Sequence, residues 1–122
     1  DVRITNAAGS SETPSIATFG TTIHVAWMES RDANREIYYK QSTDYGINWG
    51  SDIRLTNASG TSYWPSIAVS GTSVHVTWDD SRDGNNEIYY KRSSNIGVTW
   101  GDDVRLTIAS GTSLKTNNRK EK

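Results

Sequence analysis

A run of fourteen residues occurs twice in this chain of 122 residues. The first copy extends from Glu36 to Trp49 and the second from Glu87 to Trp100, so equivalent positions lie 51 residues apart. Each copy consists of an aromatic run, E-I-Y-Y-K, followed by a segment of the form S-x-[DN]-x-G-x-x-W. Short polar side chains bond nearby backbone N–H groups and glycine accepts a positive φ, so this segment predicts a tight turn between two strands. A fixed period of this length is typical of repeat architectures, in which each unit packs against the next.

The repeat covers nearly the whole chain. The further matching segments are Val2–Thr5 with Ile53–Thr56 and Val104–Thr107, Pro14–Ala17 with Pro65–Ala68, and Ile23–Trp27 with Val74–Trp78. We therefore divide the chain into a first repeat at residues 1–51, a second repeat at 52–102, the start of a third at 103–114, and a basic tail at 115–122. The tail is polar and charged, and we predict that it is disordered.

Each repeat contains four short runs of alternating or continuous apolar character, separated by clusters of Gly, Asn, Asp and Ser. This pattern predicts β-strands and turns, and no segment has the periodicity of a helix. In the first repeat the predicted strands are Ser15–Phe19, Ile23–Met28, Glu36–Ser42 and Asp52–Asn57. No apolar run is long enough to cross a membrane, and we expect no membrane partner. The sequence therefore predicts an all-β fold.

Charge and composition exclude several classes of function. Residues 1–114 carry nine Lys and Arg against thirteen Asp and Glu, and such an acidic body lacks the basic surface that nucleic-acid binding needs. The chain has no Cys, so it cannot form disulfides or thiolate metal sites. Its two histidines, His24 and His75, lie between apolar neighbours in equivalent strands, and we interpret them as packed, hydrogen-bonded residues rather than zinc ligands.

The turn segment resembles the Asp-box, or BNR repeat, of sialidases and related β-propeller proteins. Its four positions are filled in both copies, by Ser42, Asp44, Gly46 and Trp49 and by Ser93, Asn95, Gly97 and Trp100. Asn95 is a departure from the pattern, but its amide oxygen can still accept the hydrogen bonds of the turn. The resemblance implies β-propeller blades, two four-stranded antiparallel repeats in this chain, with the boxes on outer hairpins away from the ligand face. It also favours a secreted or extracellular location.

Two blades cannot close a propeller ring, and an open pair would leave apolar faces in water. We therefore expect self-association, with six blades from three chains favoured because the sialidase superfamily has six. Rings from two or four chains are less favoured, and the chain could instead be a piece of a longer propeller. The spare outer strand adds a further expectation. Val2–Thr5 and Val104–Thr107 compete for one sheet edge, or one of them completes the blade of a neighbouring copy.

In a propeller, the loops from outer to inner strand and from second to third strand emerge on one face. We expect the ligand there, and the candidate ligand-binding residues are Arg31, Asp32, Tyr63, Trp64, Arg82 and Asp83. Aromatic rings beside charged donors and acceptors suit a sugar, whose apolar faces stack and whose hydroxyls form hydrogen bonds. In the alternative interpretation, the Arg and Asp of each loop pair with one another or brace the adjacent blade.

We considered enzymatic activity and favour its absence, assigning no catalytic residue. Sialidases use three Arg, a Tyr nucleophile activated by Glu, and an Asp acid/base, so Arg31 and Arg82 could contribute to such a cluster. Near-identical repeats, however, place the same groups at every position, which favours several equivalent binding sites over one reaction centre. Two alternatives remain open, a sialidase-like glycoside hydrolase fragment and a purely structural repeat unit.

A cofactor is not expected, but a metal site is an open alternative. Oxygen-bearing side chains occur at alternate positions in both loops, namely Asp32, Asn34 and Glu36 and their equivalents Asp83, Asn85 and Glu87. This spacing is similar to the opening of calcium-binding loops, although the remaining ligands of such a loop are missing. The alternative is ordinary hydrogen bonding of these side chains to the backbone of a turn.

Overall fold

The computed structural model describes residues 1–108, which form two four-stranded antiparallel sheets and no helix. The first sheet has the order β1-β2-β3-β4 and the second has the order β5-β6-β7-β8. The strands are β1 Ser11–Phe19, β2 Thr22–Asp32, β3 Asn34–Ser42, β4 Ile53–Arg54, β5 Ser62–Ser70, β6 Ser73–Asp80, β7 Glu87–Ser93 and β8 Val104–Arg105. The prediction of an all-β fold is confirmed for this part of the chain. In residues 1–108 there is accordingly no helix that could span a membrane.

Tight turns join the first two strands of each sheet. Gly20 and its equivalent Gly71 both have φ of 59°, the positive value that a two-residue hairpin turn requires. A register shift between Glu12 and Ser15 carries β1 past Pro14, which has no N–H to donate. The bulge explains why β1 begins at Ser11, several residues before the predicted start of this strand.

The outer strands differ most from the prediction. β4 contains only Ile53 and Arg54 because the side chain of Thr56 replaces the next backbone partner, with its Oγ1 accepting the N–H of Ile37 at 2.8 Å. Residues 2–5, predicted as an outer strand, are not part of either sheet in the described structure. The tail at residues 115–122, and the third-repeat residues from 109 onward, lie outside the described residues.

The main core lies between the two sheets. Alternate residues of a strand point to opposite faces, so each sheet has a front face and a rear face. The rear face of the first sheet packs against the front face of the second, and the buried residues of this core are Ala26, Ile37, Tyr39, Leu55, Ile67, Val74, Val76, Trp78 and Tyr89. On the front face of the first sheet, Val25, Trp27 and Tyr38 form a second cluster, against which Ile4 packs. His24 is buried, and its Nδ1 lies 2.6 Å from the hydroxyl of Tyr39, as predicted for a packed core histidine.

Candidate ligand site

The box turns are closed networks of local hydrogen bonds. Ser42 Oγ donates to Asp44 Oδ1 and accepts the N–H of Gly46, both at 2.8 Å. Asp44 also accepts the backbone and side-chain N–H groups of Asn48, and these bonds lower the pKa of Asp44. In the second repeat Asn95 takes the place of Asp44, accepting the N–H of Thr99 at 2.9 Å. These contacts fit a structural role for the box residues.

The two loop arginines are each bound to two carboxylates, one from the same repeat and one from the start of the next. The Nη2 atom of Arg31 lies 2.8 Å from Asp52 and 3.2 Å from Glu29, and its guanidinium lies 4.2 Å from the ring centre of Tyr38. Burial alone would lower the pKa of Arg31, but the hydrogen bonds to Asp52 and Glu29 outweigh it and raise the pKa. Arg82 repeats this arrangement with the equivalent residues. The contacts therefore favour a structural role for these arginines, in which each one braces its own sheet and not the adjacent one.

The two loop aspartates are engaged in the same way. Asp32 accepts a hydrogen bond of 2.5 Å from the hydroxyl of Tyr38 and lies 3.6 Å from Arg54. Asp83 makes the equivalent contacts in the second repeat. The pKa of Tyr38 is raised to about 12, mainly by burial and to a smaller extent by the hydrogen bond to Asp32. A ligand would have to displace these internal partners in order to reach either carboxylate.

The proposed calcium ligands have protein partners as well. Glu36 is fully buried, and its carboxylate accepts the hydroxyl of Thr56 at 2.6 Å and lies 3.3 Å from Arg54. Burial raises the pKa of Glu36. Asn34 donates to the carbonyl of Ala58 at 3.4 Å. Within residues 1–108 no group of three or more His, Asp or Glu side chains is arranged to hold a metal ion, and calcium binding stays an untested prediction.

The aromatic candidates have a different environment. Trp64 has a φ of 58° at the bulge between Tyr63 and Ser66, and its side chain is 49% exposed. The ring centres of Tyr63 and Trp64 are 4.9 Å apart, with an angle of 65° between the ring planes. In the first repeat Glu12 and Thr13 occupy these positions. The aromatic pair is therefore a feature of the second repeat alone.

Tyr63 and Trp64 line a cleft of about 510 Å³ between the two sheets. Its other lining residues are Met28, Ala33, Asn34, Arg35, Thr61 and Ser81. The first sheet contributes the turn between β2 and β3, and the second sheet contributes the start of β5. An aromatic surface is thus placed opposite amide, guanidinium and hydroxyl groups, which is the combination that a polar ring-shaped ligand needs.

Arg35 is the charged residue of this cleft, and it was not among the candidates predicted from the sequence. Its side chain is about half exposed, and its Nη1 atom lies 3.7 Å from Glu12, a weak surface ion pair that a ligand can replace. The repeat comparison contained a signal for it, because position 35 is Arg in the first repeat and Asn86 in the second. The fold that the repeats share therefore does not require Arg at this position.

The comparisons with known proteins add no family assignment. No family model matches the chain, and no curated protein matches it.

Proposed function

We propose that the chain is a non-catalytic Asp-box β-propeller module that self-assembles and binds a glycan or another polar ligand. The two antiparallel sheets have the sequential strand order of propeller blades, and both box turns have closed hydrogen-bond networks. The two sheets already pack face to face, as neighbouring blades would.

Two exposed apolar residues support self-assembly. Ile16 on the front of the first sheet is 64% exposed, whereas its equivalent Ile67 is 8% exposed in the core. Leu106 beside β8 is 54% exposed, whereas its equivalent Leu55 is 3% exposed. In each pair the buried member is covered by another sheet and the exposed member is not, so Ile16 and Leu106 mark two surfaces that further copies of the chain would cover. Three chains with two blades each would give the favoured six-bladed ring.

A measurement of mass in solution tests the assembly. Each chain has a mass of 13.5 kDa, so the six-bladed ring corresponds to three times this value. A mass of two or four chains would keep self-association and replace the six-bladed ring. A monodisperse monomer over a wide range of protein concentration would overturn the assembly proposal.

The exposed ring of Trp64 in the cleft is the observation that carries the ligand class. Sugars stack their apolar C–H faces on such rings and direct their hydroxyls to neighbouring polar groups, here Arg35 and Asn34. In a ring of three chains this cleft would occur three times. Weak binding at each cleft would then be strengthened by attachment of one branched ligand at several sites.

Glycan-array binding of the wild type and of a Trp64→Ala variant tests this site. Loss of the stacking surface is expected to weaken binding about tenfold, the equivalent of about 1.4 kcal/mol. Phe19→Ala is the matched control, because Phe19 is also a half-exposed aromatic residue but does not line the cleft. It is the last residue of β1, whereas the position equivalent to Trp64 lies near the start of that strand. Equal binding by wild type and Trp64→Ala would place the site elsewhere, and binding only to proteins would overturn the ligand class.

A further inference from the structure

Residues 3–6 have the local structure of an outer strand without belonging to a sheet. Arg3 Nε donates to the carbonyl of Thr5 at 2.8 Å and its Nη2 donates to Asn6 Oδ1 at 3.0 Å. Arg54, in β4, makes the same two bonds at 2.8 and 2.9 Å with its equivalent partners. The N-terminal segment therefore has the same local hydrogen bonds as β4 and the residues that follow it.

The position of this segment is also that of an outer strand. Ile4 packs against the front cluster of the first sheet, and its carbonyl accepts a hydrogen bond of 2.5 Å from Lys40. Leu55 packs in the same way on the front of the second sheet, and its carbonyl accepts a hydrogen bond from Lys91. Leu55, however, belongs to a segment that is hydrogen-bonded to β3 through Ile37. For Ile4 the corresponding sheet is missing from the described part of the chain.

The contact between the two sheets of one chain shows which surfaces a second copy would have to bring together. In the contact between the two sheets, Gln41 donates to the carbonyl of Ile96 at 2.5 Å and Tyr39 packs on Trp100 at 5.0 Å between ring centres. A Cβ atom at Gly97 would overlap the hydroxyl of Tyr39, so these surfaces are in close contact.

The equivalent residues lie on two separate outer surfaces. Arg92 and Tyr90 are on the rear of the second sheet, and Tyr45, Trp49 and Gly46 are on the front of the first. One chain thus carries both halves of an interface like the one that it contains internally. A second copy of this chain is the partner that both halves fit.

Two segments would compete for one place when such copies join. Leu106 of one copy and Ile4 of the next are both equivalents of Leu55, so they cannot occupy the same position. The N-terminal segment keeps the Asn that accepts from the strand arginine, whereas position 108, the equivalent position after β8, is Ile. The N-terminal segment therefore has a hydrogen bond between its Arg and its Asn that the β8 segment cannot form.

We propose that copies join head to tail and that residues 2–6 of one copy replace β8 in the second sheet of its neighbour. The inference rests on the proposed self-association and specifies the surfaces and the strand that produce it. By equivalence with the contacts of Leu55 and Thr56, Ile4 N–H would donate to the carbonyl of Ile88, and Thr5 Oγ1 would donate to Glu87 of the neighbour. The displaced residues 104–107 would leave the sheet.

Paired substitutions at equivalent positions test which strand is used. An Ile4→Asp variant is expected to be monomeric because a carboxylate would be buried on the apolar front cluster. A Leu106→Asp variant is expected to keep the wild-type mass, since Leu106 leaves the interface. A monomeric Leu106→Asp variant, whatever the result for Ile4→Asp, would overturn the strand replacement, and so would an Ile4→Asp variant with the wild-type mass.

Cross-linking tests the head-to-tail contact without relying on variants that change the core. The chain contains no Cys, and Tyr45 and Arg92 are both exposed, so Tyr45→Cys and Arg92→Cys can be made singly and mixed. A short bifunctional maleimide is expected to join the two variants in the mixture and neither variant with itself. A Gln41→Cys, Ile96→Cys double variant is the control, since those positions are in contact within one chain. Self-cross-linking of the single variants as strong as in the mixture would overturn the head-to-tail arrangement.

The two experiments separate this inference from the proposed function. If the wild type is monomeric, self-association itself fails. If the wild type assembles but the mixture does not cross-link, self-association holds and the arrangement proposed here fails.

Discussion

Glu29 and Asp80 occupy equivalent positions, yet only the shorter side chain satisfies both of its carboxylate oxygens. Asp80 Oδ1 accepts the backbone N–H and the Nε of Arg82, at 2.9 and 3.0 Å. Glu29 Oε2 and Arg31 Nε are buried and have no hydrogen-bond partner within residues 1–108. The additional methylene of Glu29 moves its carboxylate past the position that serves both groups. A buried polar atom without a partner destabilises the folded state by about 1–3 kcal/mol.

A Glu29→Asp substitution is expected to raise the free energy of unfolding by about 1 kcal/mol, because the shorter side chain can accept from Arg31 Nε. The reciprocal Asp80→Glu substitution is expected to lower it by about 1–2 kcal/mol, since it breaks the satisfied arrangement. Urea unfolding of both variants and the wild type measures the two changes. Shifts of the same sign would show that the length of this side chain does not decide the hydrogen bonding.

The box aspartate makes a pH-dependent contribution. Its hydrogen bonds with Asn48 and Ser42 lower the pKa of Asp44 below its ordinary value of 3.8. A lowered folded-state pKa means that the stabilisation is present above about pH 3.8 and is lost as the pH falls through the folded-state pKa. An Asp44→Asn variant, which copies Asn95, should lower the melting temperature at pH 7.

The difference between the Asp44→Asn variant and the wild type should disappear when melting is measured below the folded-state pKa of Asp44. Asn95→Asp is the matched reverse change, and it should raise the melting temperature at pH 7. A difference between Asp44→Asn and wild type that stays constant across this pH range would contradict the charge-based account.

At the scale of the elements, equivalent turns have different neighbours. Gly46 has a φ of 89° and Gly97 has a φ of 78°, so an added side chain would strain both turns. A Cβ at Gly97 would overlap Tyr39 of the first sheet, whereas a Cβ at Gly46 would have Ile23 Cδ1 as its nearest neighbour, at 3.3 Å. The second box turn is thus part of the interface between sheets, and the first is at an outer surface.

Gly97→Ala is therefore expected to destabilise the chain more than Gly46→Ala. Backbone strain should lower the free energy of unfolding by about 1–3 kcal/mol in both variants, and overpacking against Tyr39 should add about 1–3 kcal/mol at Gly97 alone. Chemical denaturation at a protein concentration too low for assembly measures the difference. Equal losses would mean that the turn moves away from Tyr39 without a loss of packing.

At the scale of the whole molecule, the two repeats are similar in sequence and unequal in environment. Ile67 is buried between the sheets and Ile16 is exposed, although both follow the same Pro-Ser pair. In the unassembled chain, Ile67→Ala is expected to lower the free energy of unfolding by about 2–5 kcal/mol and Ile16→Ala by less than about 0.5 kcal/mol.

Assembly should remove this asymmetry. Denaturation at increasing protein concentration is expected to show a growing loss for Ile16→Ala relative to wild type, as its position becomes buried against another copy. If the effect of Ile16→Ala does not depend on concentration, the front face of the first sheet is not an interface.

The features that depend on local chemistry could be predicted from the sequence. The strands and their alternation follow from the apolar pattern, and the turns at Ser42–Trp49 and Ser93–Trp100 follow from side chains that bond the adjacent backbone. These interactions join residues a few positions apart, so the repeat pattern is sufficient to predict them. The short outer strand was predicted too long because the hydroxyl of Thr56 replaces a backbone partner of β3.

The tertiary structure decided which polar groups meet one another. By sequence, Arg31 and Trp64 were equally plausible ligand residues, but folding places Asp52 beside Arg31 and leaves Trp64 half exposed opposite Arg35. Asp52 is 21 residues from Arg31, and Arg35 comes from the other sheet than Trp64, so only the packing of strands and sheets brings these groups together. The repeat thus determined the secondary structure and the turns, and the stacking of the two sheets determined which side chains are internal partners and which remain accessible to a ligand or another copy.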